Sequence, residues 1–274
     1  MVNKLENKNY WILILGGSSG LGLASAKKMA AHGFNIIIVH RNSKTDLPSI
    51  NNEFETIRAI GVDLLSINED ALSPIKREGI ISAIKERIGA NGKIKALLHS
   101  IAKGNLKPMT DPDKPELQND DLHITLDAMA FSLLDWTKIL FDQHLFAANA
   151  RVISFTSEGN KKALKNYAAV SAAKAALEAI TRNIALEFAP FGITANCIQA
   201  GVTDTNSFRM IPGHEQIKAH AINRNPFNRL TTPEDVANVV YLLCKNEAAW
   251  INGSIIIADG GEHISEMISL PVII

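Results

Sequence analysis

Tyr167 and Lys174, seven positions apart, are the pair of side chains in this sequence best suited to moving a proton. They belong to the run Asn-Tyr-Ala-Ala-Val-Ser-Ala-Ala-Lys-Ala-Ala-Leu over 166–177, whose alanines favour helix. The pattern continues through Glu178, Ile180, Ile184 and Leu186 until Pro190 stops it. Seven steps of about 100° come within roughly 20° of two full turns, so both side chains are expected on one helix face, about 10.5 Å apart along the axis. A cation near a phenol lowers its pKa from about 10 and makes it a better general acid at neutral pH. Helices also carry Tyr and Lys residues that only pack or face water, so the pair takes its weight from its setting.

That setting begins with a second signal. Trp11 to Leu15 is wholly apolar, as expected of a parallel strand covered on both faces, and Gly16-Gly17-Ser18-Ser19-Gly20-Leu21-Gly22 follows, leading into a helix over Ala24 to Ala31. Glycines let a backbone approach a pyrophosphate closely, and a helix amino terminus offers free N–H groups and a partial positive charge. Strand, glycine turn and helix in that order predict a dinucleotide site. The second strand, Asn35 to Val39, ends not in an acid but in His40-Arg41-Asn42, with Lys44 close behind. An acid there would hold the adenosine ribose and repel a 2′-phosphate, whereas Arg41 offers that phosphate a planar fork, helped by Ser18. NADPH is therefore expected over NADH.

The rest of the chain supplies strands and crossovers. A third strand is expected over Glu55 to Ile60, ending in Gly61-Val62-Asp63-Leu64, where Asp63 could accept from the adenine amino group. Asp70 to Ile88 reads as an amphipathic helix and Lys95 to His99 as a fourth strand opening into Ser100-Ile101-Ala102-Lys103-Gly104. His99 is expected to be packed rather than catalytic. Asn105 to Asp121, with three prolines, reads as a long loop, and Leu122 to Ala148 as one long helix. Arg151 to Phe155 is the fifth strand, closing with Thr156-Ser157-Glu158-Gly159 just ahead of Tyr167. Gly192 to Ile198 is the sixth, followed by the small-residue turn Ala200-Gly201-Val202-Thr203-Asp204-Thr205, suited to close contact with a ligand. A stretch over 206–232 that reads as irregular or weakly helical, a helix from Pro233 to Asn246 and a seventh strand from Ser254 to Ala258 complete the chain. Strands and helices alternate throughout with no linker or repeat, so one domain over 1–274 is expected, an α/β fold with a doubly wound parallel seven-stranded sheet.

Composition excludes other classes. Lys+Arg and Asp+Glu are equal at 28 each, so no global field points to nucleic acid. Apolar residues make up 46% of the chain, enough for a sizeable core, yet the polar stretch 1–9 precedes an apolar run too short for a membrane span or a signal peptide. Cys197 and Cys244 sit in apolar stretches, fit a reducing cytoplasm, and give no metal-ligand pattern.

With these residues in place, the chain resembles the short-chain dehydrogenase/reductase family over nearly its whole length. The signs are Gly16-x3-Gly20-x-Gly22, Ser157 ahead of the Tyr/Lys helix, the segment 196–205 and Asp259-Gly260-Gly261. Most of that family spaces Tyr and Lys by four positions, but here Val170 stands four before Lys174. A Tyr-x6-Lys spacing is similar to the enoyl-acyl-carrier-protein reductases of fatty-acid synthesis, and His99-Ser100-Ile101 and Asp127 point the same way. The intact glycine turn resembles the NADPH-using branch of those reductases.

The resemblance implies a Rossmann fold and a cofactor site of Gly16, Ser18, Ser19, Gly20, Leu21, Gly22, Arg41, Asn42, Asp63, Leu64, Ser100, Ile101, Ala102, Lys174, Gly201, Thr203 and Thr205. It sets Ser157, Tyr167 and Phe208 at the substrate, with Tyr167 and Lys174 catalytic. It also implies a substrate flap over about 204–232, an acyl channel of Phe208, Met210, Ile211 and Ile217, an acyl thioester on acyl carrier protein or CoA, and a homotetramer. Within the flap, Arg209, Lys218, Arg224 and Arg229 form a modest basic excess that could meet an acidic carrier or could be solvated loop charge. Chemistry gives the spacing its own rationale. In a ketone, hydride and proton arrive at two ends of one bond; in an enoyl thioester, hydride lands on Cβ while charge develops on an oxygen two bonds beyond Cα. The donor must stand roughly 2.5 Å farther off, which one helical turn, about 5 Å, can supply.

Overall fold

The computed structural model describes residues 9–265, so the expectations drawn from 1–8 and from the carboxyl end of the 1–274 span lie outside the described residues. Seven strands form one parallel sheet in the order β3-β2-β1-β4-β5-β6-β7. They are β1 (Tyr10–Leu15), β2 (Asn35–His40), β3 (Leu64–Asn68), β4 (Lys93–His99), β5 (Phe146–Ser157), β6 (Thr194–Ala200) and β7 (Ile255–Ala258). The order reverses between β1 and β4, the switch point at which an open α/β sheet leaves a crevice beyond its strand carboxyl ends.

The apolar strands are continuous because both faces are covered. In β1, Trp11, Leu13 and Leu15 join the core on one side, while Ile12 and Ile14 join the other. The first side is closed by α3 (Pro74–Ile88), α5 (Ser132–Asp142) and α6 (Ala168–Glu187), and the second by α1 (Gly20–Ala31), α2 (Leu47–Arg58) and the helix Pro233–Cys244. Trp136 of α5 is fully buried and donates its indole N–H to the Ala71 carbonyl at 3.0 Å, tying α5 to the segment after β3.

Two expectations are corrected. The segment 55–60 is not a strand: it lies at the end of α2, where Ile50, Phe54 and Ile57 are buried at helical steps of four and three. Six residues of alternation cannot outweigh a helical period carried over twelve. The third strand is β3, an edge strand less apolar than β1 or β2. The long helix expected over 122–148 is divided into α4 (Asn119–Leu126), a π-helical turn (Asp127–Phe131) and α5, and 146–148 already belong to β5. The flap carries two helices, α7 (Asn206–Arg209) and α8 (His214–Arg224), and the helix from Pro233 is α9.

Candidate active site

Two adjoining cavities lie beyond the strand carboxyl ends, and Lys174 lines both. The smaller, about 400 Å³, is built on the glycine turn. A Cβ on Gly16, whose φ is +85°, would stand 2.5 Å from the Ser100 carbonyl oxygen, and one on Gly22 would stand 2.3 Å from that of Gly16. No larger side chain fits where the turn folds against β4 and against itself. Ser19 precedes α1 without a side-chain capping bond, and the first turn of α1 contains no acid. Its amino-terminal N–H groups are thus left to an anion, which is what a pyrophosphate requires.

Gly16, Ser18, Ser19, Gly20, Leu21, Arg41, Asn42, Ser100, Ile101, Ala102 and Thr205 line this cavity, and Gly22 packs against the turn beside it. Asp63 and Leu64 do not. They stand at the amino end of β3, on the far edge of the sheet, where Asp63 pairs with Arg87 and Leu64 is buried in the core. The misplaced third strand displaced this expectation by one strand length. The acids that do line the cavity are Glu69 and Asp70, just past the carboxyl end of β3, and Asp70 is the one bonded within it. It accepts from Arg41 Nη1 at 2.9 Å and from the Leu72 amide at 3.0 Å. A correctly placed β3 would have shown it.

The larger cavity, about 940 Å³, takes Ser157, Tyr167 and Phe208 on its walls, with Met210, Ile211 and Ile217 of the flap; Gly201 and Thr203, expected at the cofactor, line this cavity and not the smaller one. Of the three tyrosines in the sequence only Tyr167 lines it; Tyr10 begins β1 and Tyr241 stacks on His32. Val170 is on the wall too. Tyr167 is not within α6 but immediately before it, with φ −115° and ψ 5°, after Asn166 in the left-handed region at φ 64°. The two-turn helical geometry therefore starts one residue later than expected.

Nor does Lys174 lower the phenol. Burial pushes Tyr167 above its ordinary value, and the Ser157 hydroxyl, hydrogen-bonded to it, opposes that rise. The Ser157 oxygen also accepts from the Gly159 amide at 3.2 Å. Lys174 Nζ donates to the Phe155 carbonyl at 2.6 Å, and burial brings its pKa down to about 8 against the raising effects of Cys197 and Glu178. His99 borders the smaller cavity but is almost wholly buried, shares a 2.7 Å hydrogen bond with Ser132 and is held down to about 3 chiefly by burial, so it is packed and neutral. Asp127 is exposed at the start of the π turn and lines neither cavity.

The flap's basic residues are all ion-paired within the chain. Arg209 and Lys218 meet Asp204 at 2.7 and 2.8 Å and bring its carboxyl down to about 2, Arg229 meets Asp235 at 2.6 Å, and Arg224 meets Glu158 at 2.6 Å and Glu262 at 2.8 Å. The basic excess expected from the sequence is neutralised at home. Among the described residues, no helix is long and apolar enough to cross a membrane.

Comparison with known proteins agrees with this geometry. The family model described as Enoyl-(Acyl carrier protein) reductase matches residues 16–263. A probable 2,4-dienoyl-CoA reductase of Bacillus subtilis is 28% identical over 93% of this chain and 96% of its own. The NADH enoyl-[acyl-carrier-protein] reductase FabI of Enterococcus faecalis is 24% identical over 95% and 99%. The 3-oxoacyl-[acyl-carrier-protein] reductase MabA of Mycobacterium tuberculosis is 27% identical over 91% of each. Among solved structures, a short-chain dehydrogenase of Burkholderia cenocepacia in complex with NADP superposes with a TM-score of 0.77 at 25% identity, over 95% of this chain and 100% of that one. Sheet order, glycine turn, paired cavities and family match lead to one conclusion: the chain is an oxidoreductase belonging to the short-chain dehydrogenase/reductase family, matched by its enoyl-(acyl carrier protein) reductase model.

Proposed function

We propose that the protein is an NADPH-dependent enoyl-acyl-carrier-protein reductase of fatty-acid synthesis, reducing the trans-2 double bond of an enoyl thioester. The observation that carries this reading is the single phenol of the larger cavity, seven residues before Lys174, with apolar Val170 at the position four before it. A donor set back along the wall suits an oxygen two bonds beyond Cα better than one bonded to the hydride-accepting carbon.

When bound, NADPH supplies the hydride. The glycine turn and the α1 amino terminus would hold its pyrophosphate, Arg41 and Ser18 its 2′-phosphate, and Lys174 its nicotinamide ribose. Tyr167 donates its phenolic hydrogen bond to the thioester oxygen as negative charge develops there. Burial keeps Tyr167 protonated for that task, and Lys174 adds positive charge from the same wall. Phe208, Ile211 and Ile217 keep water from the acyl chain. The thioester is carried on acyl carrier protein or CoA. A cytoplasmic homotetramer fits exposed Ile124, Phe131 and Leu134 along α4, the π turn and α5.

A second reading is carbonyl reduction of a 3-oxoacyl thioester, favoured by the Ser157 hydroxyl bonded to Tyr167, a pair equally able to bind a ketone oxygen. The two separate on NADPH oxidation with crotonyl, dienoyl and acetoacetyl thioesters, run beside NADH. Rapid oxidation with the enoyl substrate is expected; turnover of the keto substrate alone would overturn the proposal.

A further inference from the structure

A carboxylate lies buried behind the active site. Glu178 follows Lys174 by one turn of α6 and lines neither cavity. Burying a lone charge is costly, and an opposite charge one turn away offsets part of that cost. Glu178 Oε1 accepts from the Thr156 hydroxyl at 2.6 Å and from the Asn160 side-chain amide. Lys174 donates to the carbonyl of Phe155, the residue before Thr156. Two consecutive residues at the carboxyl end of β5 are thus held by successive turns of α6, and Thr156 lines both cavities.

The bonds to Thr156 and Asn160 fix both ends of the segment 156–160 to one oxygen, and what lies between them meets Tyr167. The Ser157 hydroxyl is hydrogen-bonded to the Tyr167 phenol, and a Cβ on Gly159 would stand 2.7 Å from Tyr167 Cε1, so the turn lies directly against the ring. One carboxylate therefore supports both members of the proton-handling pair, Tyr167 through the turn and Lys174 through charge. The other titratable groups facing the ammonium are Cys197 of β6, held as a neutral thiol by burial, the neutral His99 of β4, and the protonated Tyr167. Glu178 is the anion among them.

We propose that Glu178 is a positioning residue for the reaction, fixing the turn 156–160 against Tyr167 and serving as the counter-charge of Lys174. The inference rests on the reading of Tyr167 and Lys174 as the pair that handles proton and cofactor. A neutral amide at 178 can accept both hydrogen bonds, but only a carboxylate adds negative charge beside Lys174. Geometry and charge are therefore separable.

The test compares wild type, Glu178→Gln and Glu178→Leu across about pH 6 to 9.5, with two readouts: kcat on whichever of crotonyl or acetoacetyl thioester is turned over, and the NADPH dissociation constant from fluorescence titration. In wild type both should worsen as pH rises through about 8, where Lys174 loses its proton. Glu178→Gln removes an anion that raises the Lys174 pKa, so its break should move to lower pH by about half a unit or more. Loss of packing alone would lower the plateau and leave the break in place. Glu178→Leu also frees the turn, and its kcat below the break should fall about tenfold or more beneath that of Glu178→Gln. If Glu178→Leu fails to fold, the break in Glu178→Gln still decides. A break at unchanged or higher pH in Glu178→Gln, or none in wild type, overturns the proposal. Turnover of neither thioester overturns the acyl reading instead, and the break in NADPH affinity then decides the role of Glu178.

Discussion

Lys174 turns its ammonium to the Phe155 carbonyl, 2.6 Å away, and is held at the junction of the two cavities by that bond and by burial among β5, β6 and α6. Its pKa, down to about 8 from an ordinary 10.5, makes its charge titratable near working pH. If Lys174 stabilises developing negative charge, kcat should fall as pH rises through about 8, and a pH–rate profile checks this. Stability runs the other way. Between about 8 and 10.5 the unfolded chain binds a proton that the folded chain lacks, so this group makes the protein more stable as pH rises through that window, and its full penalty is present below it. A kcat rising through that window would remove Lys174 from the role.

Tyr167→Phe deletes one oxygen from a wall that has no other phenol. We expect kcat to fall by about 10²- to 10⁴-fold, while the NADPH dissociation constant moves by less than about threefold, because Tyr167 lines only the larger cavity. Single-turnover kinetics beside fluorescence titration separate the two. A collapse of NADPH binding would place the residue in the wrong site.

Arg41 and Asp70 form an ion pair across the mouth of the smaller cavity, with the Arg41 side chain more than half exposed. A 2′-phosphate must share or take that guanidinium. Arg41→Ala is expected to weaken NADPH about tenfold or more and leave NADH within about twofold. Asp70→Asn, which releases Arg41 and removes a like charge from the phosphate, should raise the NADPH-to-NADH affinity ratio. Equal losses for both cofactors in Arg41→Ala would show that Arg41 does not read the phosphate.

Gly16→Ala puts a methyl group into the Ser100 carbonyl at a backbone angle that alanine resists. The expected cost is about 1–3 kcal/mol of stability, seen in denaturant unfolding, with cofactor affinity lost as the turn shifts. Gly33→Ala is the control: its φ is also +85°, but nothing lies within 4 Å of the added carbon. Cofactor binding should survive there.

Strands that are apolar on both faces were readable from the sequence, since β1 and β2 are apolar runs too short for helices, with the glycine turn after β1, and the positions of Arg41, Tyr167 and Lys174 were read beside them. What the sequence hid was set by contacts distant along the chain. An edge strand such as β3 is only half covered and lost the comparison to α2, which took Asp63 into the expected site and left Asp70 out. The Lys174 bond to Phe155 crosses from helix to strand, and the Arg224 pairing joins residues 66 and 38 positions apart, so neither leaves a local pattern.

The π turn at Asp127–Phe131 acts as a phase shifter in the longest helical run of that face. Upstream of it Thr125 supports the loop by accepting from the Asn105 amide; downstream, Ser132 meets His99 and Trp136 reaches Ala71. An insertion of one residue turns everything after it by about 100° relative to an unbroken α-helix. The two halves of the run are therefore indexed independently, one to the mouth of the substrate cavity and one to the core. A single-residue deletion within 127–131 would restore a regular helix only by rotating one of those sets away from its partners.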